Sequence, residues 1–277
     1  MPEIPPKIPG IAEVAERYDG FIIDVWGVLH DGIAVFPGVI PALKELKKRD
    51  KKVWLLSNAP RRAYTVEKNL TDMGISSALY GGIMTSGEAV WLALKNLYVD
   101  LWGKRCLHIG QAVLSASLYE NLDVEIVREP GKADFLLVSG VEDVAHGAQD
   151  YMQLLEACLI EGLPMVCANP DKVVHVGDSL IVCPGTLADV YEDMGGTVVY
   201  FGKPYRAVYD FCFDVMQAEN ILALGDGMPT DIAGAGTAGI DSVLVTTGIH
   251  RDDLVGTEHF LSRYPHRPTY LLDTFSW

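Results

Sequence analysis

Gly20-Phe21-Ile22-Ile23-Asp24-Val25-Trp26-Gly27-Val28-Leu29 sets an apolar run of strand length directly before an acid and a glycine. Two later runs end alike. Lys52 to Leu56 leads into Ser57-Asn58, and Ile221 to Leu224 leads into Gly225-Asp226. In open parallel sheets, ligands bind outside the carboxyl ends of the strands, so Asp24, Ser57 and Asp226 are expected to converge there. Aspartate, serine and glycine also favour turns and helix starts for purely local reasons. Taken as a set, with Lys203 after the next strand-like run, they favour a functional site over turn chemistry.

Along the chain, apolar runs of strand length alternate with segments of helical period, the pattern of a parallel α/β sheet flanked by helices. Ile11 to Tyr18 predicts a short helix. Val39 to Lys51 is amphipathic, with Ile40, Leu43 and Leu46 opposite Lys44, Lys47 and Lys48. Arg61 to Met73 predicts a helix stopped by Gly74, and Ser86 to Leu97 one capped by Thr85 or Ser86. The middle repeats the alternation more weakly. Strands are expected at Cys106–Ile109, Val124–Val127, Phe135–Val138 and Met165–Ala168, with helices over Ala112–Glu120 and Gln149–Ile160. A hairpin is expected around Gly177-Asp178. After Gly195-Gly196 come strands at Thr197–Phe201, Ile221–Leu224 and Ser242–Val245, helices over Arg206–Met216 and Ile232–Ala238, and an edge strand at Arg267–Leu272.

The chain has 277 residues, 49% hydrophobic and 21% charged, with a formal charge of -15. That length favours two domains. The negative charge argues against nucleic acid or an anionic membrane surface as partner. It also means that any bound phosphate needs a local cation. Five cysteines without a Cys-x-x-Cys pair fit buried thiols in a reducing cytosol rather than a disulfide framework. The seven histidines give no metal spacing. The proline-rich start has no apolar core of a signal peptide, and no run reaches the ~20 apolar residues of a membrane span. A cytoplasmic protein is expected.

Four elements in order resemble the motifs of the haloacid dehalogenase (HAD) superfamily: Asp24-Val25-Trp26-Gly27-Val28-Leu29, Leu55-Leu56-Ser57-Asn58, Gly202-Lys203-Pro204, and Gly225-Asp226-Gly227-Met228-Pro229-Thr230-Asp231. Thr85-Ser86, Asn169-Pro170-Asp171 and Pro184-Gly185-Thr186-Leu187-Ala188 are similar to the type IIA branch, which holds N-acetylglucosamine-phosphate phosphatase-like, 4-nitrophenylphosphatase and pyridoxal-phosphate phosphatase proteins. The resemblance implies a Rossmann-like core over 1–84 and 200–277 and an α/β cap over 85–199. It implies a nucleophile at Asp24 and a lysine, Lys203, that pairs with nucleophile and phosphate. Ser57 and the Asn58 N–H would hold phosphate. Mg²⁺ would be bound by Asp24, the Trp26 backbone carbonyl, Asp226 and in some manner Asp231. Asn169, Asp171 and Thr186 are the cap residues implied nearest a small phosphorylated metabolite, such as a sugar, aryl or pyridoxal-type phosphate. A homodimer through the cap is also implied.

One position departs from the pattern. The family's phosphatases carry a second aspartate where this chain has Trp26. Indole N–H does not titrate and cannot serve as general acid or base, a service worth about 10²–10⁴ in rate. His30 and Asp31, just downstream, and Asp171 are the candidate substitutes, with histidine the better suited chemically. Poor leaving groups should therefore suffer most. The competing reading is a HAD-fold protein that binds phosphate without turnover. A third is an interaction protein using its acidic surface and the aromatic tail, Phe275 and Trp277.

Overall fold

The computed structural model describes residues 4–176, 179–249 and 257–277. The chain forms two compact units. One comprises Met1–Ser57, Glu67–Met84 and Lys203–Trp277, the other Asn58–Val66 and Thr85–Gly202. The strands, in chain order, are β1 (Gly20–Ile23), β2 (Lys52–Ser57), β3 (Gly82–Thr85), β4 (Arg105–Ile109), β5 (Glu125–Val127), β6 (Phe135–Val138), β7 (Met165–Cys167), β8 (Val173–Val176), β9 (Ser179–Val182), β10 (Val198–Tyr200), β11 (Ile221–Gly225), β12 (Asp241–Val245) and β13 (Tyr270–Leu272).

The first unit is built on a sheet of order β13-β12-β11-β1-β2-β3. β1 pairs in parallel with β11 and β2, and β12 in parallel with β11 and β13. A strand covered on both faces needs apolar residues throughout, and Phe21, Ile22 and Ile23 are all buried. From β1 the chain runs outward through β2 and β3, then returns on the other flank as β11, β12 and β13. The order therefore reverses between β1 and β11. Ile23, the last residue of β1, lies opposite Leu224 on one side and Leu55 on the other, and β11 and β2 run on to Gly225 and Ser57.

The second unit has its own parallel sheet, β10-β7-β6-β4-β5, and an antiparallel hairpin, β8-β9. Alternation along its strands separates two cores. Leu107, Ile109, Leu136 and Val138 pack with Tyr151, Leu155 and Leu187 on one face. Cys106, Phe135 and Leu137 pack with Val90, Leu94 and Leu118 on the other. The turn expected at Gly177-Asp178 lies outside the described residues, as does His250.

Several elements differ from their sequence reading. Ile11–Tyr18 is two single 3₁₀ turns, Ile11–Glu13 and Ala15–Arg17. The segment buries Ile11, Val14 and Ala15. Ser86–Ala93 is α-helical and passes into a π turn, Leu94–Tyr98. Its cap is Thr85, whose Oγ1 accepts the Glu88 N–H at 2.9 Å. The last strand starts only at Tyr270, because Pro268 has no N–H to donate. β3 and the helix Pro184–Asp193 are additional elements. Phe275 is fully buried, and the Arg49 guanidinium lies 4.3 Å from the Trp277 ring centroid, so the aromatic tail packs within its own unit. All five cysteines are free and buried. No helix among the described residues is long and apolar enough to cross a membrane.

Candidate active site

Asp24, Ser57 and Asp226 leave adjacent parallel strands just beyond the aligned residues Ile23, Leu55 and Leu224, at the point where strand order reverses. The Asp24 N–H is fixed by the Leu224 carbonyl at 2.8 Å. After β11 the chain turns through Gly227 into a π turn, Met228–Ile232, that carries Asp231. Single π turns often mark functional sites. Asp231 Oδ2 accepts the Gly227 N–H at 3.0 Å, and Tyr209 donates to the Asp231 carbonyl at 3.3 Å.

Lys203 Nζ donates to Asp24 Oδ1 at 2.5 Å and to Asp231 Oδ1 at 2.7 Å. All three side chains are buried, as is Asp226. Burial alone would lower the lysine, but Asp231 and Asp24 hold it well above its usual value, so it is an ammonium. Burial pushes the Asp24 carboxyl up, with Asp231 and Asp226 adding to the push against Lys203. Three buried acidic side chains thus share this pocket with one ammonium.

Asp24, Asp226 and Asp231 each offer an oxygen within 4.8 Å of the others, and no other such cluster of potential metal ligands occurs among the described residues. A hard divalent cation fits both the donor set and the charge. The backbone around Asp226 leaves space only for glycine. A Cβ on Gly27 would lie 2.0 Å from Asp226 Oδ2, and one on Gly248 2.1 Å from it. The Ile249 N–H donates to that oxygen at 2.8 Å. These backbone contacts from the segment after β12 were missed in the sequence; Gly248 was their one trace.

The loop after Asp24 is stitched to itself. The Gly27 N–H donates to the His30 carbonyl at 2.9 Å, and Trp26 and His30 rings meet edge to face, centroids 5.4 Å apart. His30 Nδ1 accepts the Gly32 N–H at 2.9 Å, so that nitrogen carries no proton. Burial holds the imidazole below its usual pKa. Asp31 Oδ1 accepts the N–H groups of Ile33 and Ala34, and these bonds keep its carboxyl low and ionised. His30 and Asp31, two of the three candidate substitutes for the missing acid, thus have a place in the turn of their own loop.

In the second unit, the Asn58 amide donates to Asp171 Oδ1 at 2.8 Å, and the Asp171 N–H donates to Asn169 Oδ1 at 2.9 Å. Ser86 donates to Asn58 Oδ1 at 3.3 Å. A Cβ on Gly202 would meet Ser86 Oγ at 2.1 Å, which explains glycine before Lys203. Asn58, Asn169 and Asp171 therefore form one cluster. Thr186 is engaged elsewhere, donating to the Lys172 carbonyl at 2.6 Å.

Comparison with known proteins places these features in a family. A profile described as haloacid dehalogenase-like hydrolase matches residues 21–124, and one described as HAD-hydrolase-like matches residues 200–277. D-glycerol 3-phosphate phosphatase of Mycobacterium tuberculosis is 27% identical over 93% of this chain and 70% of its own length. A crystal structure of a haloacid dehalogenase-like hydrolase from Brucella suis superposes with a TM-score of 0.86 at 29% identity, covering 97% of this chain and 99% of that one. A glycerol phosphate phosphatase from M. tuberculosis, solved in complex with magnesium, shares the fold at a TM-score of 0.71 and 23% identity, over 93% of this chain and 76% of that one. The ordered motifs, the reversed parallel sheet and these matches agree, and the chain belongs to the haloacid dehalogenase-like hydrolases, in their type IIA branch.

Proposed function

We propose that this protein is a Mg²⁺-dependent phosphoric monoester hydrolase or phosphotransferase acting on a small phosphorylated metabolite, with Asp24 as nucleophile. The observation that carries the reading is Lys203 buried between Asp24 and Asp231, with Asp226 beside them. Asp24 attacks phosphorus, the P–O bond to the leaving group breaks, and water then releases inorganic phosphate from the aspartyl-phosphate. Lys203 offsets the repulsion between carboxylate and phosphate. Ser57 and the Asn58 N–H hold a phosphate oxygen. Asp24, Asp226, the Trp26 carbonyl and Asp231 would hold Mg²⁺, as the donor set favours. When bound, the ion would supply charge neutralisation at the phosphoryl oxygens.

Residues 85–199, within the second unit, act as the cap that reads the leaving group, through Asn169 and Asp171. The protein works in the cytoplasm as a homodimer through that cap. Sugar, aryl and pyridoxal-type phosphates are the substrate classes to test, in keeping with the phosphatase relatives. Trp26 also motivates a second reading, a phosphate-binding protein without turnover. Phosphate release from a panel of alkyl, aryl and acyl phosphates with Mg²⁺ decides between them. Release from at least one class, abolished by chelator, is expected; release from none favours the second reading.

A further inference from the structure

From Phe21 to His30 every residue is buried except Trp26, which is 38% exposed. A large apolar ring standing alone outside an otherwise buried run adds little to the core. Its position is nevertheless fixed. His30 meets it edge to face. Gly32, at φ +91°, lies so close that a Cβ there would be 2.4 Å from Trp26 Cη2, so the ring's seat requires glycine. The seat is itself held by the Gly32 N–H to His30 Nδ1 bond and by the Asp31 turn. The ring is thus both exposed and preorganised, the combination that favours binding a ligand over filling space.

Its root lies in the site. Asp24 is two residues before it, and the next residue, Gly27, brings its backbone against Asp226. At this position the side chain offers a flat π surface and an N–H that does not titrate. A leaving group suited to both conditions departs without protonation and has a flat face of its own. We propose that Trp26 is a specificity-determining platform on which a planar aromatic or heteroaromatic leaving group stacks, so that the substrates are phosphate esters of phenol-like hydroxyls. The inference rests on the proposed phosphatase reading and narrows it to one substrate class.

The test separates stacking from turnover. In an Asp24→Asn background with Mg²⁺, phenyl phosphate and cyclohexyl phosphate, similar in size but only one of them flat, are titrated by calorimetry. Phenyl phosphate is expected to bind about 3- to 10-fold more tightly. Adding Trp26→Phe keeps that preference, and adding Trp26→Leu removes it while thermal melting shows a folded protein. Equal binding of the two esters, no binding of phenyl phosphate, or a preference that survives Trp26→Leu overturns the platform. Absence of phosphate release by the wild type from every ester overturns the phosphatase reading instead, and leaves the calorimetric result to decide the role of Trp26.

Discussion

Lys203 carries the sole positive charge among four buried ionisable groups of the site. Replacing it with methionine leaves Asp24 and Asp231 facing each other without an ammonium. Breaking a buried ion pair on one side costs about 3–5 kcal/mol, and loss of an electrostatic contact of this kind costs roughly 10²–10³ in rate. Lys203→Met is therefore expected to lower both the denaturant midpoint and phosphate release; unchanged values for both would remove the lysine from the site. The sequence made Asp24, Ser57, Lys203 and Asp226 legible because each follows an apolar run and ends at a turn. It did not reveal that Asn58 donates to Asp171, 113 residues away. Such a pairing depends on the approach of two distant loops, and neither residue type announces it.

At the scale of elements, strands buried on both faces were the clearest, because a continuous apolar run has few other uses. β3 escaped because it has only four residues and begins at the second of two glycines. Helix starts were legible where a side chain can serve the free N–H groups. Thr85 is such a case, since its hydroxyl accepts the Glu88 N–H and also donates to the Arg61 carbonyl. Thr85→Ala should cost about 1–2 kcal/mol in a urea melt and Thr85→Ser most of the way back; a neutral Thr85→Ala would show that the cap contributes nothing.

A second element-scale effect concerns pH. His108, in β4, bonds through Nε2 to Ser139 at 2.8 Å, and burial depresses it to about 4. The unfolded chain, with a histidine near 6.5, binds the proton more readily. Stability from this residue is therefore complete above pH 6.5 and is lost as pH falls toward 4, by roughly 3 kcal/mol. Melts across that window should fall more steeply for wild type than for His108→Gln; identical slopes would contradict the assignment.

For the whole molecule, a formal charge of -15 and a buried site with three acids and one lysine make a cation the natural complement. At a hundredfold excess over Kd, binding to the folded state alone adds about 2.7 kcal/mol, or about 5–10 °C in Tm. Mg²⁺ should raise the melting temperature of wild type by that order and that of Asp226→Asn far less. An equal rise in both would place the binding elsewhere. The division into two α/β bodies was legible from the alternation of elements and the long gap between the Ser57 and Lys203 motifs. The identity of the leaving group was not, because loop shape is written in three dimensions.

Phosphoryl transfer through Asp24 as nucleophile passes through a covalent aspartyl-phosphate. Its most direct test is mass spectrometry of the peptide carrying Asp24, after acid quench of wild-type protein mixed with Mg²⁺ and an aryl phosphate. A phosphoryl group is expected on Asp24 and not in Asp24→Asn, whose phosphate release falls by at least about 10³-fold. A phosphoryl group on another residue, or turnover by Asp24→Asn at the wild-type rate, would contradict Asp24 as nucleophile.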